Sequence, residues 1–299
     1  MKAFVTGGTG FIGSHVVNKL IDEGHNLLLL EGEAEKSYPQ TVNVVKGDLS
    51  NINKWKEEVR NFNPEITIHM AWEGIPNYDE QTSNRNLEYG LDLIKTLGEI
   101  GCKRIIVTGS CWEYGEKTGE ISEDIEINPS NPFTIAKNTL REKGREVAKE
   151  NNMEFIWVRF FYVYGPGQKS HSLIPHIINS MQVGNKPEVK TPYSKNDFVY
   201  VEDVAEAISD ILNRGKDGEI YNIGSGYSTE IKKIIELVYK HYMPDEKYIP
   251  AIEKPMGDDV VDFWADISKI KNEIKWEAKT SIEEGVEKTI SYFEEANRN

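Results

Sequence analysis

Thr6-Gly7-Gly8-Thr9-Gly10-Phe11-Ile12-Gly13 stands between an apolar run, Ala3–Thr6, and a stretch in which Ile12, Val16 and Leu20 recur every fourth residue. The run reads as a strand, the stretch as a helix with one apolar face. Glycines at 7, 10 and 13 permit a tight strand-to-helix turn, let backbone N–H groups approach a diphosphate at a helix amino terminus, and allow the helix to lie close on the sheet. Glu31, 18 residues past Gly13, ends the second apolar run, where a carboxylate can accept both ribose hydroxyls of an adenosine. It would also repel a 2′-phosphate, and within Gly32–Lys36 only Lys36 offsets it, so the pattern favours NAD(H) over NADP(H). Asp48, in Gly47-Asp48-Leu49, is placed to accept the adenine amino group, although an Asp at a strand end also serves as a turn former.

Working outward, strand-length runs continue at Leu27–Leu30, Val42–Lys46, Ile66–Met70, Arg104–Thr108 and Phe155–Arg159. Between them lie helical stripes such as Leu87, Leu91, Ile94 and Leu97. Alternating strands and helices imply an α/β fold, a Rossmann-type doubly wound parallel sheet covered on both faces. Beyond Gly167 the alternation loosens and Pro166, Pro175, Pro187 and Pro192 crowd together. We expect a dinucleotide-binding domain over 1–166, with a later return of the chain, and a small mixed α/β substrate lobe over 167–299. Ser281-Ile-Glu-Glu284 is a capping-box signature ahead of Ile282, Val286, Ile290 and Phe293, a closing amphipathic helix. The acidic stretch Glu116–Asp124 reads as a solvated loop or helix face.

The 299 residues carry 35 Lys and Arg against 49 Asp and Glu, a net charge of −14, which disfavours nucleic acid and anionic membranes as partners. No apolar run approaches the roughly 18 residues that span a bilayer, and Met1–Gly7 runs into glycines rather than a leader's apolar region, so a cytoplasmic location is expected. Cys102 and Cys111 suggest no disulfide framework, and no Cys/His cluster has metal-ligand spacing.

Further motifs carry a resemblance. They are His69-Met70-Ala71, Asn86, Thr108-Gly-Ser-Cys-Trp-Glu-Tyr-Gly115, Arg159-Phe-Phe-Tyr-Val-Tyr-Gly-Pro-Gly-Gln168, Asp197-Phe-Val-Tyr-Val-Glu-Asp203, Tyr221-Asn-Ile-Gly-Ser-Gly226 and Trp264-Ala-Asp266. With the glycine turn, they make nearly the whole chain resemble an extended short-chain dehydrogenase/reductase of the nucleotide-sugar epimerase/dehydratase family. The resemblance implies an oxidoreductase of carbohydrate biosynthesis that binds NAD(H) through Gly7, Gly10, Phe11, Ile12, Gly13, Glu31, Asp48, Leu49, Met70, Ala71, Trp72 and Lys137. It implies substrate contacts at Glu73, Cys111, Trp112, Tyr162, Gln168 and Asn196. It further implies a homodimer formed by the helices through Asn86–Ile100 and Phe133–Lys149.

The family's chemistry uses a Ser/Thr, a Tyr and a Lys, matched here by Ser110 and Lys137. Four residues before Lys137 stands Phe133, which keeps the ring but has no titratable atom; loss of such a group costs ~10²–10⁴-fold in rate. A disabled form, a substitute acid/base (Tyr162, Cys111, Glu73 or Tyr78) and a non-catalytic NAD(H) sensor all fit. Asn196 stands where the family often has a phosphate-gripping Arg, with Lys195 beside it, and Lys254 is the remaining candidate for a second phosphate cation. Cys111-Trp112 replaces the Asp-Glu pair of the family's dehydratases, which makes dehydration the least favoured reaction. Reduction of a 4-keto deoxyhexose leads slightly over C4 epimerisation.

Overall fold

The computed structural model describes residues 1–32, 38–245, 247–250 and 261–296. Lys36 and Lys254 lie outside them. Five strands of the first half are β1 (Lys2–Thr6), β2 (Asn26–Glu31), β3 (Val42–Lys46), β4 (Ile66–His69) and β5 (Arg104–Ser110). Together with Glu154–Phe160 and Ile220–Ile223 they form one parallel sheet in the order 220–223, 154–160, β5, β4, β1, β2, β3. The order reverses between β1 and β4, the place where a parallel sheet opens a crevice at its carboxyl edge. The α/β Rossmann-type class follows, and the expected strands are met to within two residues at their ends.

The strand Ile220–Ile223 and the helix Val201–Arg214 return from beyond Gly167 to the main sheet. That helix packs on α1 (Phe11–Asp22), and both bury apolar residues in one cluster with Val16, Leu20, Val204 and Ile208. On the other face lie α2 (Lys56–Phe62), α3 (Glu80–Ile100) and α4 (Pro132–Glu150), around Leu93, Leu97, Leu140 and Trp157. Leu87 and Leu91 sit at the margin of this cluster, whereas Ile94 and Leu97 are buried. A third core joins Leu173–Gln182, Ile231–Tyr242 and Ile282–Ala296, the last with Val286 and Ile290 buried. Ser281 Oγ accepts from Glu284 N at 3.2 Å at its start.

The expectation that Glu116–Asp124 is a solvated stretch is corrected. Gly119–Ile121 is a strand of a small mixed sheet with Asp262–Ala265, Lys195–Asn196 and Thr229–Glu230. Glu123 accepts from the Asn222 N–H at 2.8 Å, and burial raises its pKa. A backbone donor at a sheet edge needs an acceptor, and this carboxylate supplies it.

Two glycines of the opening motif are required by contact. A Cβ on Gly13 would lie 2.0 Å from Gly7 O, and one on Gly7, which has φ +77°, would lie 2.6 Å from Ala71 N. The turn, the helix start and the strand end after β4 therefore touch backbone to backbone. Gly13→Ala is expected to lower unfolding stability by about 1–3 kcal/mol, read by urea denaturation followed by circular dichroism. An unchanged midpoint would mean that the helix can lift off Gly7 at no cost.

Candidate active site

At the β1/β4 reversal a cleft of about 770 Å³ is lined by Thr6, Gly7, Gly10, Asp48, Met70, Ala71, Trp72 and Glu73, among others. α1 begins at its rim with Gly10 as N-cap, no side-chain cap and no acidic residue in the first turn. Its first N–H groups therefore face no competing side-chain acceptor, the condition for an anion site. A Cβ on Gly10 would meet only Gly7 O, at 3.3 Å, so the backbone is bare on the cleft side. This cradle fits the diphosphate of a dinucleotide.

The adenosine end is more occupied than the sequence suggested. Asp48 lines the cleft and also caps the kinked 3-10 segment Leu49–Lys54, accepting from Ser50 N at 2.8 Å, with its pKa held low by the Ser50 hydrogen bonds. Glu31 is not among the lining residues; its neighbour Leu30 is. The Glu31 carboxylate is buried and accepts from Tyr38 Oη at 3.0 Å and Lys46 Nζ at 3.1 Å. Lys46 lies opposite Glu31 in the parallel register, so among the described residues Glu31 is offset by Lys46, a residue the sequence reading did not weigh.

The predicted catalytic residues meet where Trp72 leaves the cleft. α4 starts at Asn131, whose side chain accepts from Thr134 N at 3.0 Å, with Pro132 at the first helical position. That start places Phe133 in the first turn and Lys137 one turn later. Lys137 Nζ donates to Thr108 O at 2.7 Å and lies 3.9 Å from the Trp72 ring centroid and 5.9 Å from that of Phe133. Burial pulls its pKa down to about 7. Burial, and then the Lys137 charge, pull His69 down to about 3, so its imidazole stays neutral, with Nδ1 2.7 Å from Thr6 Oγ1. Around Phe133 stand Trp72 at 5.4 Å, Tyr78 at 5.0 Å and Trp112 at 6.4 Å between ring centroids.

Ser110 ends β5 and caps the helical turn Cys111–Tyr114. Its Oγ accepts from Trp112 N at 3.2 Å. Glu113, wholly buried, closes the turn by accepting from Ser110 N at 2.8 Å, from Trp157 Nε1 at 3.2 Å and from Arg159 Nε at 2.9 Å. Sequence reasoning missed this residue as a site element, although Ser110-Cys-Trp-Glu113 has the spacing of a capping box.

Three of the substitute candidates, Cys111, Tyr162 and Tyr78, are hard to ionise. Cys111 is buried among Tyr114, Ile121, Phe161 and Ala265, and burial pushes its pKa up. Burial raises Tyr162 to about 12; its Oη accepts from Trp112 Nε1 at 3.2 Å. Tyr78 is likewise raised by burial. Gln168 donates to Val163 O at 3.1 Å, and Asn196 is buried with Oδ1 unpartnered. Lys195 binds Asp262 Oδ2 at 2.8 Å. Among the described residues, no group of three His, Cys, Asp or Glu could hold a metal ion, and no helix is long and apolar enough to cross a membrane.

Comparison with known proteins agrees with this geometry. The model of the NAD dependent epimerase/dehydratase family matches residues 3–224. The chain is 27% identical to dTDP-6-deoxy-L-talose 4-dehydrogenase (NAD(+)) of Aggregatibacter actinomycetemcomitans, over 79% of this chain and 88% of that one. It is 25% identical to dTDP-4-dehydro-6-deoxyglucose reductase of Escherichia coli, over 96% and 95%. The crystal structure of UDP-glucose 4-epimerase from Thermotoga maritima with UDP-glucose superposes with TM-score 0.88 at 26% identity, over 99% of this chain and 100% of that one.

The lowered Lys137 pKa has a measurable sign. Between about pH 7 and 10.5 the unfolded chain holds a proton at this lysine that the folded chain has released, so stability rises with pH across that window. The expected slope is at most about 1.4 kcal/mol per pH unit, and Lys137→Met should remove it, as read from urea midpoints at several pH values. Parallel slopes in both proteins would show that Lys137 titrates normally.

Proposed function

The chain belongs to the NAD dependent epimerase/dehydratase family, and from that premise we propose that it binds NAD(H) in the cleft and a nucleotide-activated deoxyhexose beside Ser110. The reaction is hydride transfer at sugar C4, in the direction of 4-keto sugar reduction, in a form that Phe133 holds nearly inactive. The observation that carries this reading is that Lys137 and Phe133 pack on Trp72 of the cleft wall while Lys137 holds the Thr108 carbonyl, two residues before Ser110.

NAD(H), when bound, supplies or accepts the hydride. The protein's part is to hold the sugar and move a proton. Ser110, whose oxygen accepts from Trp112 N, donates its proton as a hydrogen bond to the C4 oxygen. A tyrosine at 133 would deliver the proton that converts that oxygen to a hydroxyl, its phenol made more acidic by the neighbouring Lys137 ammonium. Phe133 has no proton to deliver. Trp112, 37% exposed, and half-buried Tyr162 offer aromatic faces to the sugar. Such faces suit the C–H-rich surface of a deoxyhexose, in keeping with the deoxy-sugar names of two relatives, and this favours reduction over epimerisation of a fully hydroxylated hexose. Replacement of the dehydratase Asp-Glu pair by Cys111-Trp112 speaks against dehydration. The sugar nucleotide would lie between the carboxyl edge of the main sheet and the lobe of residues 173–182, 231–242 and 282–296.

NAD(H) is preferred over NADP(H) in this reading because Glu31 ends β2, although Lys46 reduces the repulsion of a 2′-phosphate. A homodimer through α3 and α4 belongs to the same reading.

Restoring the tyrosine tests the proposal. Phe133→Tyr should raise turnover ~10²–10⁴-fold with one member of a panel of 4-keto and ordinary nucleotide sugars, followed by NADH absorbance and product identity. Equal activity in both proteins would remove Phe133 as the block. Silence from both, with NADH still bound, would favour a sensor of NAD(H).

A further inference from the structure

The charged side chains on the cleft wall are Asp48, Glu73 and Arg85. Arg85 is the one Lys or Arg there among the described residues, in a chain whose net charge is −14. Its position is set by its neighbour. Asn86 accepts from Glu73 N at 2.7 Å and donates to Glu73 O at 3.0 Å and Thr82 O at 2.8 Å, stapling the segment after β4 to α3. The staple brings the Glu73 carboxylate onto the Arg85 guanidinium, which it engages through one nitrogen, Nη2.

That contact leaves the guanidinium underused. Arg85 Nε is buried and has no hydrogen-bond partner, and the two side chains are 37% and 52% exposed, so the ion pair is weak and easily exchanged. An arginine fork is made for two parallel bonds to one anion, and Glu73 uses it singly. Across the same cleft lie the bare Gly7 and Gly10 backbone and the start of α1, whose dipole contributes only a fraction of a charge. Two carboxylates also line the cleft, so a cation there would offset their repulsion of the two charges on a dinucleotide's diphosphate.

We propose that Arg85 is the diphosphate clamp of this chain, and that it exchanges Glu73 for the diphosphate when the dinucleotide enters. Glu73 thereby acts as an internal competitor: it holds Arg85 over the cleft and sets the affinity for the cofactor. The inference rests on the NAD(H) reading above and adds to it which side chains govern affinity, and in which opposite directions.

Calorimetric titration with NADH, ADP-ribose and adenosine tests it, on the intact chain and on Arg85→Ala, Arg85→Lys and Glu73→Gln. Arg85→Ala should weaken NADH and ADP-ribose by roughly 10–100-fold and leave adenosine unchanged, with Arg85→Lys intermediate. Glu73→Gln should tighten NADH and ADP-ribose several-fold, a gain that no damage to the fold would produce. Unchanged affinities in the Arg85 variants, or an equal loss for all three ligands, would overturn the clamp, as would weaker binding by Glu73→Gln. A wild-type chain that binds neither NADH nor ADP-ribose would instead overturn the NAD(H) reading, and the clamp with it.

Discussion

The Glu113 carboxylate has no solvent exposure and yet satisfies three donors from two strands: Ser110 N, Trp157 Nε1 and Arg159 Nε. A buried charge survives only when paired and hydrogen-bonded, and here Arg159, itself stacked 4.4 Å from the Tyr114 ring, supplies the opposite charge. Gly109 is the residue that makes room, since a Cβ there would lie 2.2 Å from Glu113 Oε1 and 2.3 Å from Trp157 Nε1. The turn that presents Ser110 is thus nailed to the sheet from below. Replacing Glu113 by an apolar residue would leave Arg159 charged and buried, so the pair stands or falls together with the geometry of the site.

Above that floor, the site is assembled from rings and one lysine. Trp72 and Phe133 shield Lys137 from water, and with no opposite charge in contact its ammonium is disfavoured, which is why its pKa falls so far. The same burial that makes Lys137 easier to neutralise makes Tyr162, Tyr78 and Cys111 harder to ionise. One low-dielectric environment therefore acts in opposite senses on cationic and anionic groups.

Much of this was legible in the chain before folding. The glycine turn, the β-α alternation and the four-residue spacing of Phe133 and Lys137 are local patterns, and Lys137 reaches the Thr108 carbonyl near the end of β5. Less legible were features that depend on which strand lies beside which. Lys46 neutralises Glu31 because β2 and β3 run parallel in a register that sets the two side by side, 15 residues apart in sequence. Glu123, read as part of a solvated acidic stretch, instead serves Asn222, 99 residues away. Glu113 lay between the two cases: its capping-box spacing was visible, its burial against Arg159 was not.

The sequence by itself determined the glycine turn, the class of fold, and the absence of a titratable atom at position 133. These follow from steric limits on glycine, from residue periodicity and from the chemistry of one side chain, all local properties. Only the tertiary structure decided that Trp72 covers Lys137, that Tyr38 and Lys46 engage the buried Glu31 carboxylate, and that Arg85 meets Glu73 on the cleft wall. Each of those depends on the crossing of segments far apart in the chain, and a charge or a pKa belongs to the surroundings that such crossings create.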